Sequence, residues 1–413
     1  MTRMQFKLMR RLGLPLLCFS LLAAYSNAQS AAEHWVVTWT AAPGPYIAAM
    51  LRPPEPDFVD VRTQGIFNNQ TIRMIVRTSI GGRQVRIRLS NIYGKTPLRI
   101  GTAHVALFPV DLDEPEGAPI VSGTDHTLLF GGMRSVTIPA GQSVLSDPAD
   151  LLIPPLASVA VSLYVPETTP AATIHYPGRL AGVVSGAGDF SGQEAIYGAR
   201  FGTHAWVSSV DVLAPPDAGA VVVVSDETSG VVSYPAWPAR LAMRMLSNPT
   251  TSHVAVVTQA DSSGRFSFVD SGRGVAALER FERDVFGQSG VQWIVLTPYL
   301  PEIFYSTRPS NPSKGVSVDD LAKIFGEIVE RAHSRGIKVI GCTVMPTSLP
   351  KNGEEPRLAV NRMIRTAGVF DALIDLDKIS TDPRHTESLR SAFDAARLAD
   401  DIDLSLFTPL APR

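Results

Sequence analysis

Cysteine is nearly absent from this chain: two residues in 413, Cys18 and Cys342. Cys18 sits in an N-terminal stretch that reads as removable, so Cys342 is left alone and no intramolecular disulfide can form. Charge of one sign is lacking as well. Thirty-seven Lys and Arg against 39 Asp and Glu give a formal net charge of −2, which excludes the basic footprint of a nucleic-acid binder or an anionic-membrane binder. After the N-terminal stretch no apolar run is long enough to span a bilayer. The eight histidines are scattered, and no His/Cys cluster has metal-ligand spacing. No Gly-rich phosphate loop follows a strand. Neither a metal nor another cofactor is expected. What remains is 45% hydrophobic and 18% charged, enough for a sizeable core and for two domains.

The first residues have the pattern of an export signal. Arg3, Lys7, Arg10 and Arg11 form a basic region, and Leu12–Tyr25 is apolar but short. Ser26-Asn27-Ala28 supplies small residues for cleavage before Gln29. Residues 1–28 are therefore expected to be a signal peptide, and the mature chain to be secreted or periplasmic.

From 29 to 217 the pattern is β. Ile72–Thr78 and Val85–Leu89 alternate, with Gly81-Gly82 between them, which predicts a hairpin. Further strands are expected over His104–Phe108, Ser135–Ile138, Ser158–Tyr164 and Ala205–Val212. Many short strands punctuated by Pro and Gly predict an antiparallel β-sandwich. The alternate-face arginines of the first two strands are expected on a solvated sheet face, with anion binding the other reading.

From 218 to 413 strands and helices alternate. Val221–Val224, Val254–Val257, Trp293–Leu296, Ile337–Val344 and Leu373–Leu376 read as buried strands. Trp237–Leu246, Gly274–Phe286, a segment capped by Ser317 with Asp320 three residues on, and Pro356–Ala367 read as helices. That rhythm predicts a parallel sheet covered on both faces. Ligands in such sheets lie beyond the carboxyl ends of the strands, here Ser225–Gly230, Thr258–Gly264, Thr297–Glu302, Met345–Leu349 and Asp377–His385.

Several stretches carry a resemblance. In the first part they include Trp35–Trp39, Gln70–Arg73, Thr78–Gly82, Arg86–Asn91 and Pro97–Gly101. In the second they include Trp237-Pro238, Ala277–Phe281, Gly341–Thr343, and Arg357 with Asn361, Ile364 and Arg365. On these the chain resembles secreted two-domain members of the SGNH (GDSL) hydrolase family. The resemblance implies an N-terminal antiparallel β-sandwich and a C-terminal flavodoxin-like α/β esterase domain. It also implies a serine nucleophile, an oxyanion hole and a late Asp-x-x-His pair.

The blocks that would carry this chemistry are missing. The Gly-Asp-Ser turn falls on Ser225-Asp226-Glu227, so the nucleophile position holds Glu227. Around Gln259–Arg265 no Gly-x-x-x-Asn element is legible; Ser263 stands in that stretch. Thr297–Glu302 contains no asparagine and ends on Glu302. Phe393-Asp394 runs directly into Ala395–Ala399, without the histidine. Losing a serine-hydrolase nucleophile or its histidine lowers turnover by about six orders of magnitude.

Two sets of residues offer substitutes. Asp382-Pro-Arg-His385 is formally an Asp-x-x-His, and Ser229 follows Glu227 by two, so Ser229, His385 and Asp382 form an alternative triad. A surface Asp/His pair in a polar loop is the plainer reading. Glu227, Asp226 and Glu302 supply carboxylates for glycosidase-like acid/base work; helix caps and solvated loop groups are the plainer reading there. Cys342, ending an apolar strand, reads as a buried small hydrophobe. The expected partner is a glycan or acyl-ester small ligand. A structural partner for another secreted enzyme is a third reading.

Overall fold

The computed structural model describes residues 32–45, 65–109, 117–175, 182–224, 237–259, 276–298, 316–346, 354–385 and 397–408. The larger N-terminal strands are β1 (His34–Thr40), β2 (Gln70–Arg77), β3 (Val85–Ser90), β4 (Thr102–Phe108), β5 (His126–Thr127), β6 (Ser143–Leu145), β7 (Ser158–Val165), β8 (Gly182–Ala187), β9 (Gly198–Phe201) and β10 (Val207–Ala214). They form two antiparallel sheets, one ordered β1-β10-β3-β6 and one ordered β9-β8-β2-β7-β4-β5. Alternation explains the faces: Ile72, Met74 and Val76 from one sheet and Val85, Ile87 and Leu89 from the other enter the same apolar cluster.

The expected hairpin does not form. β2 and β3 lie in different sheets, and the chain crosses between them at Gly81-Gly82. Gly82 bridges Ile153 through two backbone hydrogen bonds of 3.0 and 2.9 Å. A Cβ on Gly81 would sit 2.3 Å from the Ile153 carbonyl. The glycines therefore serve a close backbone approach rather than a tight turn.

The solvated arginine face holds for exposed Arg77 but not for Arg73 and Arg86. Arg73 is fully buried. Its guanidinium donates to Ser162 Oγ (2.8 Å) and to the carbonyls of Ala118 (2.9 Å), Glu194 (3.2 Å), Ser191 (3.4 Å) and Gln193 (2.6 Å). Burial lowers its pKa to about 10. Arg86 lies 4.4 Å over the Trp35 ring and donates to Asp211 (3.0 Å) and Ser289 (3.0 Å). Segments distant in sequence cover both arginines, which alternation within one strand cannot reveal.

His204 is buried and its ring stacks parallel to that of His175, with centroids 6.2 Å apart and planes 7° apart. Its Nε2–H donates to the Ile75 carbonyl at 3.0 Å, since a carbonyl only accepts. Burial lowers its pKa to about 4. The His175 value falls to about 3, through burial and then through His204, but His175 keeps some exposed surface and counts for less. Between about pH 6.5 and 4 the unfolded chain binds the His204 proton and the folded chain does not. Stability from this group is therefore full above 6.5 and falls as pH drops, by roughly 3 kcal/mol before flattening below 4. Urea midpoints at pH 7, 5 and 4 measure it; His204→Gln should flatten that part of the profile, and an unchanged profile contradicts the assignment.

Among the described residues the C-terminal part is built on five parallel strands: β11 (Gly219–Val224), β12 (Val254–Gln259), β13 (Val291–Leu296), β14 (Lys338–Cys342) and β15 (Ala372–Ile374), ordered β12-β11-β13-β14-β15. The helices are α1 (Trp237–Leu246), α2 (Ala277–Phe281, continued by a π turn over Glu282–Phe286), α3 (Val318–His333), α4 (Glu354–Thr366) and α5 (Leu376–Ser380). The sheet is buried on both faces, which explains its uninterrupted valines. Val222, Val224 and Leu296 pack with α2, α3 and α4. Val221, Val223 and Trp293 pack with α1, Leu398 and Phe407. Ser317 caps α3, its Oγ accepting the Asp320 amide at 3.0 Å, and Gly336 follows that helix at φ +72°.

The two parts share an apolar cluster and direct hydrogen bonds. β12 is an edge strand of its sheet, and an unpaired edge invites misassembly. Here the Val256 amide donates to Ser79 Oγ (2.8 Å), and Gln259 Nε2 donates to Thr40 Oγ1 (2.7 Å). Val37 N–H donates to the Ser289 carbonyl at 2.9 Å. Among the described residues no helix is long and apolar enough to cross a membrane.

Candidate functional site

In sequence terms the parallel sheet runs second-first-third-fourth-fifth, so the winding direction reverses between β11 and β13. Open α/β sheets bind ligands at that reversal, outside the carboxyl ends. The register brings the loop origins together: Val224 lies opposite Gln259 on one side and Leu296 on the other. The Thr297 amide donates to the Val224 carbonyl at 3.0 Å. The segments carrying Ser225, Asp226, Glu227 and Ser229, then Ser263, then Glu302, thus leave the sheet from adjacent points at one level. Those six residues lie outside the described residues.

Asp382 precedes a single 3-10 turn over Pro383–His385. Its carboxylate accepts from the Arg384 side chain at both oxygens (3.0 Å each) and from the Arg384 amide (2.9 Å). Arg384 also donates to Asp401 at 2.9 Å. His385 contributes its backbone to the turn; its side chain lies outside the described residues.

Cys342 is fully buried, as its position at the end of an apolar strand predicts. Burial pushes the thiol up to about 12, against the lowering influence of the Thr297 hydroxyl. A thiolate is the reactive form, so native protein should not react with Ellman's reagent at pH 8 and should release one equivalent of thiol after unfolding in denaturant. Prompt reaction of the native mature chain contradicts this burial.

A dense polar network at this end of the sheet centres on α4. Arg357, 3% exposed along its side chain, pairs with Glu354 and Asp377 and donates to the Val344 carbonyl (2.7 Å). Asn361 clamps the same residue, accepting the Val344 amide (2.8 Å) and donating to its carbonyl (2.9 Å). Arg365 donates to both Asp375 oxygens (2.8 and 2.6 Å) and to Asp377 (2.8 Å). Thr343 Oγ1 donates to Asp375 (2.9 Å) and accepts the Asp377 amide (3.0 Å). Burial would raise the Asp375 carboxyl, but Arg365, the Lys378 amide and Thr343 together hold it below the ordinary range. The signal was present in the sequence: Arg357, Asn361 and Arg365 recur every four residues, which puts them on one helix face. The network fixes the backbone just after β14, at the carboxyl end of the sheet.

At the end of β12, Gln259 is fully buried, and its Nε2 also donates to the Asp284 carbonyl. Asp284 is itself buried and held by Arg280 (3.2 Å) and Arg283 (2.6 Å). Burial opposes the charged form of Arg283, but Asp284 outweighs it and raises the guanidinium pKa. The Asp284 carboxylate is held by its two arginines, while the Gln259 side-chain oxygen is buried without a hydrogen-bond partner.

No family model matches the chain, and no curated protein matches it. Among solved structures the chain is similar to an acetyl xylan esterase, AlAXEase, with 15% identity over 44% of this chain and 96% of that one, at a TM-score of 0.33. It is similar to a catalytic mutant of Axe2, an acetylxylan esterase from Geobacillus stearothermophilus, with 11% identity over 45% and 95% and a TM-score of 0.34. It is also similar to Est24, a carbohydrate acetylesterase from Sinorhizobium meliloti, with 14% identity over 44% and 94% and a TM-score of 0.32.

Proposed function

We propose that the chain is an exported SGNH-fold protein whose ester-hydrolase site has been dismantled. On this reading it binds a glycan or acylated ligand without turning it over. Residues 1–28 are the export signal, 29–217 a β-sandwich made by the two antiparallel sheets, and 218–413 the SGNH-like domain. The mature protein works outside the cytoplasm, secreted or periplasmic. One observation carries the reading. The strand end at the winding reversal, Val224, lies in register with Gln259 and Leu296, and the chain leaves it as Ser225-Asp226-Glu227. A carboxylate thus follows where the resemblance requires a nucleophilic hydroxyl. The absent asparagine and histidine blocks agree with that loss. The shifted triad of Ser229, His385 and Asp382 is the rival, and the doubly bonded Arg384 on Asp382 weakens it, because that carboxylate already has a cationic partner.

Incubation with insoluble acetylated xylan tests the proposal. The expected result is retention of the protein on the polymer with no acetate released above buffer. Acetate release that disappears in Ser225→Ala or Ser229→Ala overturns the proposed loss of chemistry, and failure to be retained overturns the ligand class.

A further inference from the structure

A cavity of about 150 Å3 lies where the antiparallel part meets the edge of the parallel sheet, between β1, the end of β2, α1 and β12. Its apolar walls are Trp39, Leu156, Ala239, Ala242, Met243 and Val256. Five hydroxyl residues also line it: Thr38, Thr40, Thr78, Ser79 and Thr258. Three have their single proton committed: Thr38 Oγ1 donates to Ile80 O (2.7 Å), Thr40 Oγ1 to Ser208 O (3.1 Å) and Thr78 Oγ1 to Ala157 O (3.0 Å), while Ser79 Oγ accepts the Val256 amide (2.8 Å). A sugar ring entering here would leave hydroxyls poorly matched, which is unfavourable. An apolar group leaves those three bonds in place. Exposed Arg77 borders the cavity too and gives it a polar margin.

The backbone adds a second observation. Leu156 lies at φ +56°, a left-handed conformation unfavourable for a residue with a Cβ. Its amide donates to the Ser79 carbonyl at 3.1 Å, and Ser79 Oγ in turn accepts the Val256 amide of the β12 edge at 2.8 Å. Glycine would relieve that strain. A leucine held there puts its side chain on the cavity wall, and strain of this kind concentrates at ligand clamps. The cavity is also at the functional end of the sheet. It adjoins Thr258, one residue before the end of β12, and Pro238 in the first turn of α1. The chain enters α1 from the segment holding Ser225–Ser229 and leaves β12 toward Ser263.

We infer that this junction cavity binds a short acyl chain of about six carbons, since an apolar cavity of about this volume holds a benzene-sized molecule. Size and apolarity stand by themselves; the choice of an acyl chain over an aromatic ring rests on the acylated-ligand reading above.

The test is a direct binding titration on the full mature chain by calorimetry, using acetamide, butanamide, hexanamide, octanamide, benzene and methyl β-xyloside. Binding should tighten about fourfold per methylene from butanamide to hexanamide and level off by octanamide. Ala239→Leu, which fills the cavity, should weaken hexanamide at least about tenfold while leaving the protein folded. Leu156→Gly, which suits the positive φ and enlarges the space, should move the preference toward octanamide and serves if Ala239→Leu does not fold. No saturable hexanamide binding to folded wild type, benzene binding without hexanamide binding, tighter binding of the xyloside, or variants that bind hexanamide as wild type does would each overturn the inference. No turnover is read, so a silent esterase assay leaves this result standing. Retention on acetylated xylan without hexanamide binding would remove the cavity while sparing the proposed function.

Discussion

Arg357→Met is expected to destabilise the protein by about 3 kcal/mol, the lower end of what breaking a buried ion pair costs. The guanidinium is enclosed and has three partners: Glu354, Asp377 and the Val344 carbonyl. Removing it leaves the mostly buried Asp377 carboxylate with Arg365 at 2.8 Å, which places the loss at the lower end. Val344 keeps Asn361 on its amide and its carbonyl, so β14 should still end in the same place. Asp377→Asn in the Arg357→Met background should return part of the loss, because the stranded charge is then gone, giving a coupling of about 1–2 kcal/mol. Urea midpoints for the four proteins measure this. A single-mutant loss below about 0.5 kcal/mol, the range of ordinary surface substitutions, would mean the network is peripheral. The same network fixes the chain at the carboxyl end of β14, where open α/β sheets bind ligands, so its loss should also weaken retention on acetylated xylan.

Glu227→Ser is expected to leave ester hydrolysis where it starts, at the buffer rate and about six orders of magnitude below an intact serine hydrolase. The physical reason is the interdependence of the catalytic groups. A serine hydroxyl is a weak nucleophile until a base takes its proton, and the sequence holds no Asp-x-x-His between Asp394 and the terminal residues. Restoring the hydroxyl alone restores neither base nor oxyanion donors. Wild type, Glu227→Ser, Ser229→Ala and His385→Ala should therefore give the same rate on p-nitrophenyl acetate. A rise of about a hundredfold or more in Glu227→Ser would reveal a base that the sequence does not display, with general-base catalysis worth at least that much. A fall in both Ser229→Ala and His385→Ala would establish the shifted triad.

The parallel sheet was legible because strands buried on both faces are written as apolar runs, as in Val221–Val224. α1 was legible to the residue, Trp237–Leu246, and α3 through the Ser317 cap. β2 and β3 were legible as strands, but not as members of different sheets, because the crossing at Gly81-Gly82 is set by the remote Ile153 backbone. Arg73 sat on the alternate face of its strand in the sequence, yet distant carbonyls bury it. For the site, the sequence named the strand ends and the register aligned three of them. The Arg357–Asn361–Arg365 face was visible only as a spacing. Its function depended on Asp375 and Asp377, which the next strand and helix bring alongside.

The central claim is that no serine in this protein is activated. The most direct measurement is intact mass after excess fluorophosphonate, on the mature wild-type chain and on Ser225→Ala, Ser229→Ala and His385→Ala. The account predicts unmodified mass for all four. A single stoichiometric adduct on wild type, absent from Ser229→Ala and from His385→Ala, would contradict it.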